Sequence, residues 1–295
     1  MAQQVPISQS AEAETQRQPD STATITPDLS YRRLAIVNVV FLGRSHAGAG
    51  EWTLIDAGVM GTTPLIRSSA AERFDNAPPA AIVMTHGHFD HVAGLEALSR
   101  EWNVPVYAHE LELPYLNGAA SYPPPDPTVG GGLMSAAAPL YPRGPVDVKE
   151  RLQMLPADGS VPAMPGWRWI HTPGHTPGHV SFWRESDRCL IAGDAFITTA
   201  QESAYSVATQ APEMHGPPMY YTQDWAAARE SVQRLAALEP EAVITGHGPP
   251  MHGAQMRQAL HELADRFDEV AVPHDGDYVA KPTRPDDGSA YVHRY

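Results

Sequence analysis

Apolar positions along the chain form two alternating kinds of pattern, short continuous runs and stripes at three- and four-residue spacing. The short runs, rich in β-branched residues, predict strands at 34–41, 52–56, 80–84, 167–170, 180–183, 189–192 and 242–245. The stripes predict helices at 64–74, 95–102, 225–235 and 256–270. Thr222 is the predicted N-cap of the third helix. This alternation of strands and helices predicts a mixed α/β fold.

The polar stretches divide the chain into one predicted domain, two ends and an insertion. Residues 1–30 are rich in Gln, Ser, Thr and Pro and are expected to be a disordered arm. Residues 31–272 form the predicted domain, and 273–295 a loose tail. Residues 117–145 hold seven prolines and five glycines. Such a segment suits either a solvated insertion or a lid or interface element beside the functional site.

Composition excludes several classes of protein. The chain has 295 residues, with 20 Lys and Arg against 34 Asp and Glu, giving a net charge of −14. This acidic balance argues against nucleic acid and anionic membranes as partners and leaves a small-molecule substrate. No apolar run is long enough to span a membrane, and no signal-peptide pattern occurs, so a cytoplasmic location is expected. The single cysteine, Cys189, excludes a disulfide scaffold and a thiolate metal cluster.

Four metal-ligand side chains stand within six positions, directly after the apolar run 80–84. They are His86, His88, Asp90 and His91. Imidazole and carboxylate groups are the ligands that zinc, iron and manganese accept. His86 and His88 alternate in an extended segment and can reach one ion, while Asp90 and His91 turn toward a second. The pattern therefore predicts a metal site in a strand-to-helix loop.

Three further candidates each follow a predicted strand. His175 stands in the Gly/Pro turn 172–179, Asp194 follows Gly193, and His247 lies between two glycines. Each of them alone also suits an ordinary structural role. If they gather at one edge of the packed sheets, they complete a ligand set with the loop at 86–91.

This combination of motifs resembles the metallo-β-lactamase fold superfamily over about residues 31–272. The motifs are the HxHxDH run at 86–91, the PGHT turn holding His175, Asp194 after Gly193, and His247. The segment 54–58 resembles the first motif of that superfamily, in which Asp56 would support a ligand. The resemblance implies a four-layer αββα sandwich with the metals at one edge.

The resemblance also implies how the ligands are divided between two divalent ions. His86, His88 and His175 would bind the first ion, Asp90, His91 and His247 the second, and Asp194 would bridge them. Zinc is the expected metal, with iron or manganese as alternatives. His171 and His179 are interpreted as supporting or packing residues. The remaining histidines are given ordinary roles: His46, His109, His215, His252, His261, His274 and His293.

An aspartate at position 194 favours hydrolases similar to glyoxalase II and to lactonases over the lactamase branches that carry cysteine or serine there. Cys189 lies inside a predicted strand and cannot replace it. A lactonase branch has a tyrosine three residues after the bridging aspartate, where this chain has Ile197. Tyr205, Tyr220 and Tyr221 are candidates to contact substrate in its place.

The resulting hypothesis is a dinuclear hydrolase that cleaves a small-molecule ester, lactone or thioester. A hydroxide held by the metals attacks the acyl carbonyl, and Asp90 assists the leaving group. Three alternatives stay open: a single-iron enzyme similar to persulfide dioxygenases, a β-lactam hydrolase, and a metal-stabilised interaction protein. The predicted loops 117–145 and 196–221 would wall the substrate site.

Overall fold

The structure is a computed structural model that describes residues 4–13 and 15–293. The chain divides into two compact units, each made of separate stretches of sequence. The smaller unit holds residues 15–121, 144–165 and 293, and the larger unit holds 4–13, 122–143 and 166–292. The predicted domain 31–272 is therefore split, and the insertion 117–145 contributes its middle to the larger unit and both ends to the smaller one.

The smaller unit is built on an eight-stranded mixed sheet. Its strands, in order across the sheet, are Leu152–Met154, Val106–Ala108, Ala81–Val83, Thr53–Ile55, Val37–Leu42, Leu29–Leu34, Ala23–Thr26 and Gln16–Arg17. The first four run parallel, and every later pairing is antiparallel. Its α-helices are Thr63–Arg73, Phe89–Val92, Leu95–Trp102 and Leu113–Leu116, with a 3₁₀ turn at Glu110–Glu112 and a short strand at Ala120–Ser121.

The central strands of this unit carry its core because they are covered on both faces. Phe41, Leu54 and Ile82 are fully buried, and Trp52 stacks on Phe74 with ring centroids 4.1 Å apart. The wholly apolar sequence predicted such a buried strand at 80–84, and the structure places one at Ala81–Val83. Burying these runs fixes the parallel strand ends, after which the His86–His91 loop begins.

The larger unit is built on a five-stranded sheet. Its strands, in order, are Trp167–His171, Val180–Arg184, Cys189–Gly193, Ala242–Thr245 and Met251–His252, and a separate pair joins Val5–Pro6 to Glu213–Met214. Its α-helices are Leu133–Ala137, Ala204–Thr209, Trp225–Ala236, Gly253–Asp265, Phe267–Val270 and Asp277–Ala280, with 3₁₀ turns at Gln9–Ala11, Ala138–Leu140 and Met219–Tyr221. A last short strand is Val292–His293.

The apolar stripes predicted for the two long helices face the core of the larger unit. Trp225, Val232 and Leu235 pack in the same cluster as Met256 and Leu260. The N-cap differs from the prediction, since the Asp224 side chain accepts a hydrogen bond from the Ala227 amide at 3.0 Å. Thr222 lies two residues too early for that role.

Strand structure begins earlier in the chain than the sequence indicated. Within the expected disordered arm, residues 16–17 and 23–26 extend the sheet of the smaller unit, and Val5–Pro6 pairs in the larger unit. Asp20 stabilises the connecting turn, because its carboxylate accepts hydrogen bonds from the amide and hydroxyl of Thr22. Residues 1–3 and 14 of that arm lie outside the described part.

Two other segments depart from the patterns. The predicted strand 34–41 is two strands, because Ala35 takes a left-handed conformation (φ 58°) and turns the chain between Leu34 and Val37. The expected loose tail contains the helix Asp277–Ala280, whose Asp277 amide donates to the Asp126 carboxylate at 2.8 Å. In the described residues, no helix has the length and apolar character needed to cross a membrane.

Candidate metal centre

The His86–His91 loop joins the buried strand Ala81–Val83 to the helix Phe89–Val92. All four of its candidate ligands are buried, with exposed fractions of 0–6%. Burying four polar side chains in one loop is costly unless each has a partner or a metal. The loop therefore has the chemistry expected of a ligand cluster, in the place the sequence predicted.

Asp56 holds one of these ligands in a defined orientation. Its Oδ1 accepts a hydrogen bond from the Thr85 amide, and its Oδ2 accepts from the Thr85 hydroxyl and from His91 Nδ1, each at 2.8 Å. A carboxylate can only accept here, so His91 carries its proton on Nδ1 and presents Nε2 as the basic nitrogen. This is the supporting arrangement that metal-bound histidines usually show.

The other two histidines of the loop point ring nitrogens toward one another. His86 Nε2 and His88 Nδ1 are 3.0 Å apart. Two nitrogens bound to one tetrahedral zinc ion at ~2.0–2.1 Å would lie about 3.3 Å apart. Ligand atoms of His86 and His91, and of Asp90 and His91, are also within 4.8 Å of each other. The donor set of the smaller unit therefore fits metal ions.

In the larger unit, His175 stands in a tight turn, and the backbone of this turn requires a glycine at the preceding position, Gly174. Gly174 has φ 132°, and a Cβ there would lie 2.3 Å from the Ala228 amide nitrogen. The Gly174 carbonyl accepts hydrogen bonds from the amides of Gln223 and Asp224. The turn is thereby bound to the start of the helix Trp225–Ala236. His175 Nδ1 lies 3.3 Å from the Thr222 hydroxyl, which leaves Nε2 as the nitrogen facing Asp194.

Asp194 contacts both other candidates of this unit through one oxygen. Its Oδ2 lies 3.5 Å from His175 Nε2 and 3.1 Å from His247 Nε2. All three residues are at most 2% exposed. A carboxylate between two imidazoles is a suitable arrangement for a ligand shared by two ions. The Asp194 amide donates to His179 Nε2 at 2.9 Å, which positions the backbone.

The two flanking histidines have structural partners. His179 Nε2 accepts from Asp194, so its Nδ1 carries the proton and donates to the Thr172 hydroxyl at 2.8 Å. His171 Nε2 donates to the Pro177 carbonyl at 2.8 Å. Both contacts agree with the interpretation of these histidines as supporting or packing residues.

The three candidate tyrosines have different surroundings. Tyr205 is 74% exposed, whereas Tyr220 and Tyr221 are 3% and 5% exposed. Tyr220 packs against Tyr141 with ring centroids 6.1 Å apart. The loops 122–143 and 196–221 therefore meet inside the larger unit, and the role of these tyrosines in substrate contact stays a prediction.

Sequence reasoning missed several supporting residues. Thr85 and Thr222 contact Asp56 and His175, and the buried Glu112 accepts a hydrogen bond from the Gly87 amide at 2.9 Å. Thr85 is adjacent to the motif and could have been suspected. Nothing in the local sequence marks Glu112, because its contact depends on a chain segment 25 positions from Gly87.

Comparison with known proteins identifies the class. The family model of the metallo-beta-lactamase superfamily matches residues 32–247. The chain is 46% identical over 236 residues to the protein named "Probable metallo-hydrolase YflN" of Bacillus subtilis strain 168, covering 80% of this chain and 89% of that protein. It is 27% identical over 246 residues to a hydroxyacylglutathione hydrolase of Xanthomonas oryzae pv. oryzae strain MAFF 311018, covering 81% and 73%.

A solved structure agrees at the level of the fold. A beta-lactamase domain protein from Burkholderia ambifaria is similar with a TM-score of 0.58 and 22% identity, covering 87% of this chain and 79% of that one. The chain belongs to the metallo-β-lactamase superfamily, and its predicted fold is confirmed. It is a metal-dependent hydrolase, which sets aside the interaction protein and the iron dioxygenase. Membership in the superfamily implies divalent metal ions.

Proposed function

We propose that this hydrolase is dinuclear and cleaves an ester, lactone or thioester bond of a small molecule. One ion would be held by His86, His88 and His175, the second by Asp90, His91 and His247, and Asp194 would be shared. Zinc is the proposed metal because all the ligands are nitrogen or oxygen donors that it accepts. The observation that carries the proposal is the contact of Asp194 Oδ2 with two imidazole Nε2 atoms.

The arrangement within the smaller unit supports a second ion. Asp90 and His91 are both buried and have ligand atoms within 4.8 Å of each other. A mononuclear enzyme would leave this pair without a ligand function. In this pair, Asp56 holds the proton of His91 on Nδ1, which leaves Nε2 as the nitrogen that can bind a metal.

When bound, two divalent ions would supply Lewis acidity, which makes water nucleophilic near neutral pH and polarises the acyl carbonyl. The residues of the chain hold and orient that chemistry. Asp56 and Thr222 aim His91 and His175, and His179 positions the Asp194 backbone. Asp90, a carboxylate as a ligand, would accept the proton released by the attacking water and pass it to the leaving group. A cysteine nucleophile is not required, and Cys189 is buried inside a strand.

The class of scissile bond is inferred from the ligands and the relatives. Aspartate at 194 is typical of the glyoxalase II and lactonase branches that the sequence resembles. The similarity to a hydroxyacylglutathione hydrolase supports an acyl substrate. An acyl carbonyl also has the single polarisable oxygen that two adjacent ions can stabilise as charge develops.

The proposal is tested by metal analysis together with a substrate panel. Purified protein is expected to carry close to two metals per chain and to hydrolyse a lactone or a thioester faster than a β-lactam or a phosphodiester. Saturation of folded protein at one metal would contradict the dinuclear centre. Preference for the β-lactam or the phosphodiester would contradict the proposed bond class.

Asp194→Asn tests the shared ligand directly. The substitution removes the charge and one of two equivalent oxygens, so turnover is expected to fall by roughly 10²-fold or more, about 2.7 kcal/mol of barrier. Metal content should fall as well. Asp265→Asn, an exposed change at the end of a helix, is the control. An Asp194→Asn protein with two metals and normal turnover would refute the bridge.

A further inference from the structure

The larger unit contains a cavity of about 890 Å³ that none of the seven proposed metal ligands lines within the described chain. Its walls come from residues 128–131 and 200–206, from the chain around Glu213 and His215, and from residues 270–275. A volume of this size lies in the range of small-molecule binding pockets. The two loops that the sequence singled out therefore enclose a defined space.

A buried carboxylate forms part of the cavity wall. Glu213 is only 5% exposed. Its Oε1 accepts a hydrogen bond from the backbone amide of Gln4 at 2.9 Å. Among residues 4–13 and 15–293, no hydrogen bond reaches its second oxygen. One oxygen of a desolvated carboxylate is thus available to a ligand, and such a group interacts strongly with a cation.

The neighbouring His215 is held in place by hydrogen bonds at both of its ring nitrogens. The backbone amide of Gly216 donates to the side-chain Oε1 of Gln4 at 2.8 Å. The side-chain Nε2 of Gln4 therefore points at His215 Nε2 and donates to it at 2.9 Å. His215 Nδ1 donates to the Gly216 carbonyl at 2.8 Å.

A second carboxylate lies behind the same wall. Glu202 is fully buried, and its Oε1 accepts from the Met219 amide at 2.7 Å. Its Oε2 is 3.3 Å from His215 Nε2 and has no hydrogen bond among the described residues. Asp275 adds a further acid at the exposed rim, and neither lysine nor arginine lines the described part of the cavity. The wall is therefore electronegative.

We propose that this cavity binds a small organic cation, an ammonium or guanidinium group carried on an apolar chain. The carboxylate of Glu213 would pair with the cation, and Val129, Ala200 and Met219 would contact the apolar part. The proposal does not depend on the metal centre, because none of the seven proposed metal ligands lines the cavity within the described residues; Tyr205, a candidate substrate contact, does line it. His215 and Glu213 are assigned a binding role that the motifs did not indicate.

The test measures binding of three probes of equal chain length to the metal-loaded protein. Hexylammonium, 1-hexanol and hexanoate are titrated at neutral pH by calorimetry and by their effect on Tm. Hexylammonium is expected to bind at least tenfold more tightly than hexanol, and hexanoate least. Equal or tighter binding of hexanoate would overturn the proposal.

Glu213→Gln separates charge from packing. Glutamine keeps an Oε1 that can accept from the Gln4 amide, so the fold is expected to survive, while hexylammonium affinity should fall at least about tenfold. Glu72→Gln, an exposed change in a helix of the smaller unit, is the matched control and should bind as the wild type does. If Glu213→Gln does not fold by circular dichroism, Asp275→Asn at the rim replaces it, with an expected loss of about twofold. Unchanged preference for the cation in the folded variant would refute the assignment.

Discussion

Asp56→Asn is the substitution that most directly tests how the smaller unit prepares a metal ligand. Asp56 accepts three hydrogen bonds at 2.8 Å, from two donors of Thr85 and from His91 Nδ1. Its backbone has φ 62°, a conformation that asparagine tolerates better than other side chains. The substitution therefore changes the acceptor without adding backbone strain.

The size of the effect follows from counting donors. Asparagine has one oxygen and one NH₂ group in place of the two carboxylate oxygens. In one orientation the oxygen faces His91 and the Thr85 hydroxyl, and the NH₂ group faces the Thr85 amide. In the other orientation the oxygen faces the Thr85 amide, and the NH₂ group faces both His91 and the Thr85 hydroxyl. Even the first orientation leaves a buried donor unsatisfied, which costs about 1–3 kcal/mol of the free energy of unfolding. Loss of the carboxylate also weakens the hold on the His91 tautomer, so metal affinity should fall about 10–100-fold.

Two measurements separate these effects. Thermal unfolding of the metal-free protein gives the cost in stability, and competition with a chelator gives the metal affinity. Asp75→Asn is the matched control, because Asp75 also pairs with a histidine, His46 Nδ1 at 2.9 Å, but on the surface. It is expected to change neither quantity by more than about 0.5 kcal/mol. A folded Asp56→Asn protein that binds metal as tightly as the wild type would refute the tautomer argument.

Two further predictions concern the larger unit. Gly174→Ala should lower the free energy of unfolding by at least ~2 kcal/mol, because the added Cβ meets the Ala228 backbone. In the control Gly166→Ala the Cβ meets nothing within 4 Å, so only the backbone strain of ~1–2 kcal/mol is expected. Equal losses of the two variants in thermal unfolding would contradict this. Burial raises the pKa of the Glu213 carboxyl above its ordinary value of 4.5. Because ionisation is then less favourable in the folded than in the unfolded chain, the free energy of unfolding falls as the pH rises above 4.5. Glu213→Gln should therefore raise Tm at pH 7 relative to wild type, and this gain should disappear below pH 4.5; a gain independent of pH would show that the charge is not its cause.

The superfamily and the candidate ligands could be predicted from the sequence, because both depend on local order along the chain. His86, His88, Asp90 and His91 stand within one loop, and the apolar run before them predicts the buried strand that positions it. The helix at 225–235 was likewise predictable, since a stripe at 3.6-residue spacing needs no distant partner to be recognised. The stripe at 256–270 predicted one helix, whereas the structure has two, Gly253–Asp265 and Phe267–Val270, divided at Arg266.

Contacts between residues far apart in sequence could not be predicted, because they form only when the chain folds. Glu112 reaches the Gly87 amide and Thr222 reaches His175 through folding of distant segments. The early strands at 16–17 and 23–26 form because the edge of a sheet offers them hydrogen-bond partners, which a polar local sequence does not reveal. The same holds for Glu202, whose Oε2 lies 3.3 Å from Nε2 of His215 because folding brings together two chain segments that are apart in sequence. Composition and spacing report which side chains are present, but burial and contact decide which of them are desolvated, oriented and able to bind.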